Sequence, residues 1–322
     1  MKFRRDQDAA AQTAAVAALQ ALAATQPELA GLRRPAVRKL APDREVYLAR
    51  LDRRRVVLKR FIGPQASQTV TETARELAFL ARTMASGPYQ VNLCLLALPE
   101  AGLVVLSEAP GLRLEAAISA ASPALRARLM RQAGDWLGQY TNGRLRTAEF
   151  APRFWMQRLN GHHAEGLPPA RLQVMAPLKA HLDAQVPALL RHRVLQGATH
   201  GDFTGGNLHY HKGTIYGVDI QGETWMALAN DVSRFLVGQA LRNSDPAVPR
   251  HHGIAAPDWQ AFLSSGLIPE AEQDTVLRFF IGHQIWWRLA EPALGAQKAA
   301  RLIGVAQSYL ETPPVAATGK TG

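Results

Sequence analysis

Residues 199–207, Thr-His-Gly-Asp-Phe-Thr-Gly-Gly-Asn, place three glycines and an acid within nine positions. A segment so rich in glycine is a poor helix and a poor strand, so it reads as a loop that presents a carboxylate. Two short runs follow, Asn207–His211 and Thr214–Asp219, separated by Lys212-Gly213. They predict a tight β-hairpin. Pairing His211 with Thr214 sets Asn207 opposite Val218, with Asp219 the next residue out at the open end. Strict pleating points Asp219 to the other face from Asn207, so bringing the two together needs a bulge or the end of the strand. Asp202 enters the same end of the ribbon five residues before Asn207. Two carboxylates and an amide oxygen thus gather at one point, and hard oxygen donors of this kind suit Mg²⁺.

The rest of the chain predicts two differently built parts. Residues 9–25 read as a helix from their alanine content and the absence of Gly and Pro. Lys2, Arg4 and Arg5 stand before it, but Asp6, Asp8, Gln12 and Gln20 interrupt any greasy export segment. A helix lying on the fold is the expectation. Glu45–Ala49, Arg55–Phe61, Leu93–Leu98 and Leu103–Leu106 are strand-like. Thr69–Met84 carries Val70, Ala74, Leu77, Leu80 and Met84 at helical spacing. Beyond Pro110-Gly111 the chain turns helical, at Ala124–Tyr140, Leu172–Arg191, Ala229–Leu241, Glu270–Leu289 and Ala296–Leu310, with the hairpin as the one strand pair. The expected division is an amino-terminal helix over 1–30, a first lobe over 31–109, a helical lobe over 110–312 and a mobile tail over 313–322.

His-Gly-Asp-x-x-x-x-Asn followed by an Asp after an apolar strand resembles the aminoglycoside phosphotransferase and choline kinase family. The resemblance implies an α+β, two-lobed protein-kinase-like fold, with a small antiparallel-sheet N-lobe bearing one main helix and a mostly helical C-lobe. It implies a small-molecule kinase that moves the γ-phosphoryl group of ATP to a hydroxyl acceptor with Mg²⁺. On this reading Asp202 is the base and His200, grouped with it as catalytic, shapes the loop with Gly201. Asn207 and Asp219 hold the metal. Lys59, ending the run Val56-Val57-Leu58-Lys59, takes the α/β-phosphates. Glu76, 17 residues on, orients it, with Glu72 the competing partner. Ser107, Glu108 and Ala109 supply backbone groups to adenine, and Asp231 in Asn230-Asp231-Val232-Ser233-Arg234 is a structural support. Three departures stand out. The expected phosphate loop, Ala41-Pro42-Asp43-Arg44-Glu45, has no glycine, Asp219-Ile220-Gln221-Gly222 is one residue longer than Asp-Phe-Gly, and no segment resembling a protein-kinase activation segment follows.

Composition decides among the alternatives. A lone Cys94 excludes an internal disulfide and a thiolate zinc cage, and a cytoplasmic location is expected. No apolar run reaches the length of a membrane span. The net charge of +11 is shared as +6 over residues 1–110 and +5 over 111–322, so no basic arm marks a nucleic-acid binder. It leans instead towards a neutral or anionic acceptor. The glycine-free loop keeps a catalytically weak or inactive kinase-like scaffold as the second reading. His162-His163, His209/His211 and His251-His252 lack a carboxylate at ligand spacing on one helix and read as surface or loop histidines. Gly319-Lys320-Thr321 mimics the end of a Walker loop, but Pro314 stands where its first glycine belongs.

Overall fold

Alanine's helix propensity carries α1 from Lys2 to Ala24. The computed structural model describes residues 2–161, 166–242, 245 and 247–313. They fall into two units, Met1–Gly111 with Tyr216–Glu223, and Leu112–Ile215 with Thr224–Gly322. His162, His163 and residues 314–322, which include nearly all of the expected tail, lie outside the described residues.

The first unit is an antiparallel sheet between two helices. Its strands are β1 (Leu32–Ala41), β2 (Arg44–Leu51), β3 (Arg54–Phe61), β5 (Cys94–Leu98) and β6 (Leu103–Ser107), ordered β1-β2-β3-β6-β5. Helix α2 (Ala66–Met84) and the short β4 (Tyr89–Val91) connect β3 to β5. Side chains alternate across the pleat. Tyr47 and Ala49 of β2, Val56 and Leu58 of β3 and Leu103 and Val105 of β6 form one buried face with Ala15 and Leu19 of α1. The Tyr47 hydroxyl lies 3.2 Å from the Ala15 carbonyl and 2.6 Å from Glu45 Oε2. Lys59, Val104 and Phe61 occupy the opposite parity, on the side of α2, which buries Val70, Leu77, Leu80 and Met84. The sequence pattern did not show β1: Pro35 and two register shifts against β2 break its alternation.

The second unit is mainly helical. It begins with β7 (Leu112–Arg113), α3 (Leu114–Ser119), α4 (Pro123–Tyr140), β8 (Leu145–Glu149), α5 (Pro152–Asn160) and α6 (Pro169–Leu189). Next come β9 (Arg193–Thr199), β10 (Leu208–His211), β11 (Thr214–Gly217), β12 (Thr224–Ala227) and α7 (Leu228–Ala240). The chain passes into the first unit within β11 and returns before β12. The hairpin β13 (Arg250–His251) and β14 (Ile254–Ala255) precedes α8 (Ala256–Leu263). A single turn α9 (Glu270–Glu272) runs through a π-helical turn, Gln273–Leu277, into α10 (Arg278–Leu289), and α11 (Ala296–Leu310) follows.

The expectation of one strand pair in this half is corrected. β8, β9 and β12 form a further sheet, ordered β12-β9-β8, and β13 pairs β14. β8 is mostly exposed, so it carries no apolar signature. The core lies where α7, α10, α6 and α11 pack, with Phe235, Leu236, Phe279, Phe280 and Tyr309 fully buried. Among the described residues no helix is long and apolar enough to cross a membrane.

Leu19 is fully buried on α1. Leu19→Ala is expected to lower unfolding free energy by about 2–4 kcal/mol, whereas exposed Gln20→Ala should change it by less than about 0.5 kcal/mol. Denaturant titration of both variants measures the difference.

Candidate active site

In the first unit the feature is a lysine facing a carboxylate. Lys59 sits near the end of β3, flanked in register by Val46 of β2 and Val104 of β6. Its Nζ donates to Asp219 Oδ1 at 2.5 Å, with side-chain exposures of 8% and 28%. β11 ends at Gly217, two residues before Asp219, which adopts a left-handed φ of 64°. The strand is thus two residues shorter than the run Thr214–Asp219 expected from the sequence, and Asp219 lies outside its pleat. A hydrogen bond from Asn92 N to Gly217 O, at 3.0 Å, fixes where this segment leaves β11.

Glu76 is buried on α2, with 5% exposure. Glu72, one turn earlier and half-buried, accepts from Gln68 Nε2 at 2.8 Å, and its side chain lies beside Gly222. Ser107 ends β6 and, with Glu108 and Ala109 just after it, lines an open cavity of about 690 Å³ with Leu93, Leu95 and Arg55. Ser107 N donates to Leu93 O, and Leu93 N donates to Ser107 Oγ, both at 2.8 Å. Glu108 is clamped by Arg55 through both carboxylate oxygens. The β1–β2 connection, Pro42-Asp43, is a two-residue turn between the paired Ala41 and Arg44.

In the second unit the loop after β9 carries Asp202 and Asn207. Asn207 Nδ2 donates to Asp202 Oδ2 and to the Asp202 carbonyl, each at 2.9 Å, which turns its Oδ1 away from that carboxylate. Arg234 of α7 donates to Asp202 Oδ1 at 3.3 Å. The loop is held from beneath by Asp231, fully buried in the first turn of α7. Asp231 Oδ2 accepts from His200 N at 2.8 Å and Gly201 N at 3.3 Å. Burial pushes the Asp231 carboxyl up, opposed by His200, the Gly201 amide and Arg234. Gly201 has φ 79°, a conformation that disfavours any other residue there.

His200 is buried against Trp136 and Tyr140, at ring-centroid distances of 6.0 and 5.9 Å. Phe203 stacks on Trp136 and Phe235. Gly205 allows α3 to approach: a Cβ there would stand 2.9 Å from Glu115 Cβ.

Sequence reasoning gave no role to the arginines around this loop. Arg242 pairs with Glu115 at 2.8 Å, and Arg288 Nη2 donates to the Arg234 carbonyl at 3.2 Å. Burial and then the neighbouring Arg234 charge hold the Arg288 guanidinium below its usual range, against the pull of Asp202, Glu291 and Glu115. Only Arg234 had a signal in the sequence, three residues after Asp231 on the same helix.

The chain belongs to the phosphotransferase enzyme family (APH), whose model matches residues 36–261. No curated protein matches it. Among solved structures it is similar to a choline/ethanolamine kinase family protein from Mesorhizobium loti, at TM-score 0.57 and 16% identity, covering 92% of this chain and 95% of that one. It is also similar to the aminoglycoside phosphotransferase APH(4)-Ia, at TM-score 0.56 and 13% identity, covering 87% and 94%. A glucosamine kinase gives TM-score 0.51 and 15% identity over 87% and 93%. These likenesses show the kinase-like fold.

Asp231→Ala is expected to leave the buried His200 amide and the half-buried Gly201 amide without their acceptor, costing about 1–3 kcal/mol of unfolding free energy. Asp231→Asn, which keeps an acceptor oxygen, should recover most of that loss in the same denaturant titration.

Proposed function

We propose that the protein is a small-molecule kinase that transfers the γ-phosphoryl group of ATP to an acceptor hydroxyl. The observation that carries this reading is the Lys59–Asp219 pair, in which a nearly buried strand lysine meets a carboxylate 160 residues away. Burying an ammonium costs several kcal/mol unless a partner compensates, and this pair holds in reserve the two charges that phosphate and a divalent cation need. Lys59 would turn to the α/β-phosphates, with Glu76 or Glu72 orienting it. Ser107, Glu108 and Ala109, lining the open cavity, would hold the adenine.

Asp219 and Asn207 would hold Mg²⁺. Their carboxylate and amide oxygens are hard donors of the type this ion takes, and Asn207 Oδ1 is directed away from Asp202. When bound, the ion would neutralise phosphate charge. Asp202 is the base: it accepts the acceptor's hydroxyl proton as the new O–P bond forms and the β–γ bridging bond breaks. His200 keeps the loop in shape through aromatic packing and its bond to Asp231.

The net charge of +11 favours a neutral or anionic acceptor over a cationic one. Around the loop, Arg234, Arg242 and Arg288 meet Asp202, Glu115 and Glu291, and an anionic group on the acceptor would pair with Arg234 beside the base. Asp202→Ala is expected to lower kcat by about 10²–10⁴-fold while ATP binding persists; turnover retained in the variant contradicts the assignment. Across hydroxyl compounds of similar size, anionic acceptors should outperform cationic amines in kcat/KM. Arg234→Gln should narrow that gap chiefly through KM, and a preference for cationic amines would contradict the charge argument.

A further inference from the structure

Two adjacent histidines and one aspartate of the second unit converge outside the residues assigned to phosphotransfer. His251 ends β13, and His252-Gly253 forms the turn of the β13–β14 hairpin, with His251 paired to Ile254. Adjacent strand residues point to opposite faces. Here the turn prevents that, because His252 and Gly253 adopt left-handed φ of 49° and 80°. The two imidazoles stand side by side, with ring centroids 4.0 Å apart, against Trp259.

Asp274, inside the π-helical turn, reaches both rings. Its Oδ1 lies 2.8 Å from His251 Nε2 and 2.8 Å from His252 Nε2, and one atom from each of the three residues falls within 4.8 Å of the others. π-Turns inside helices occur frequently at functional sites. No carboxylate stands at ligand spacing on one helix with these histidines, as the sequence indicated; theirs comes from another element, 22 residues along the chain from His252, and His252 itself is buried in the turn, not a surface residue.

We propose that His251, His252 and Asp274 form a binding site for a divalent transition metal, with Zn²⁺ its best match. Two imidazole nitrogens and one carboxylate oxygen are a Zn²⁺ donor set that leaves a fourth position for water, whereas Mg²⁺ and Ca²⁺ favour oxygen donors throughout. Ligand atoms about 2.0–2.2 Å from a tetrahedral centre stand about 3.3 Å apart. The carboxylate therefore has to withdraw by only about 0.5 Å from its present 2.8 Å contacts. Asp274 can do so, its side chain being 68% exposed, and His251, 40% exposed, leaves an approach from solvent.

His252 is 3% exposed, with its ring against Trp259. Asp274 Oδ1 now accepts the Nε2 proton of His252, and ligation through Nε2 would move that proton to Nδ1, a buried atom with no hydrogen-bond partner.

The test uses untagged full-length protein in excess Mg²⁺, with Zn²⁺ followed by equilibrium dialysis and Co²⁺ by its visible absorption. His251→Ala and Asp274→Asn alter exposed side chains, and unchanged circular dichroism and unfolding temperature in the absence of Zn²⁺ establish that they fold. The wild type should bind one Zn²⁺ per chain, give a tetrahedral Co²⁺ spectrum and melt at a higher temperature with Zn²⁺. Each variant should bind at least about tenfold more weakly and lose the thermal shift. Absence of binding in the wild type, or equal binding in wild type and both variants, overturns the proposal.

Discussion

The Lys59–Asp219 ion pair is the contact on which the organisation of the first unit turns. It takes a strand lysine that is only 8% exposed and supplies its counter-charge from a segment entering from the other half of the chain. An uncompensated ammonium at that position would cost several kcal/mol, so Tyr216–Glu223 is bound to this unit by charge as well as by the Asn92–Gly217 backbone bond. Asp219 reaches the lysine because β11 stops short of it and its backbone enters the left-handed region. A regular strand would have carried the carboxylate to the other face.

A second constraint shapes the loop of Asp202. Asp231 anchors the His200 and Gly201 amides, while Trp136, Phe203 and Phe235 stack beneath them. Asp202 is consequently presented from a rigid base, with its two oxygens approached by Asn207 and Arg234. The part of the molecule that gives the loop its shape is apolar and buried. The part that faces outward, Asp202 with Arg234, is charged and partly exposed.

Where the candidate site draws on residues close in sequence, its layout could be read from the letters. Asp202 and Asn207 are five residues apart, and the Lys212-Gly213 turn announced the hairpin leading to Asp219. Helix α2 was equally plain, since Val70, Leu77, Leu80 and Met84 form one stripe. β1, interrupted by Pro35 and its bulges, lacked the alternation that marks a strand. The three-stranded sheet of β8, β9 and β12 was hidden for a related reason, because β8 presents almost no buried side chain. Contacts assembled from distant elements left no trace at all. Glu115 with Arg242, and Asp274 with His251 and His252, are created by packing, and no spacing rule joins them. The Lys59–Asp219 pair belongs to this class too: both residues were singled out, yet their contact was not foreseen.

The central claim is that Lys59 and Asp219 belong to a nucleotide and metal site. It is tested most directly by thermal unfolding of the wild type and Asp219→Asn with ATP alone, Mg²⁺ alone and both. Ligand at about 100 times its dissociation constant adds roughly 2.7 kcal/mol to native stability, enough to raise the midpoint by several degrees. The account predicts a shift that requires ATP and Mg²⁺ together in the wild type and disappears in a variant that remains folded. No shift at saturating ATP and Mg²⁺, or an equal shift in the variant, would contradict it.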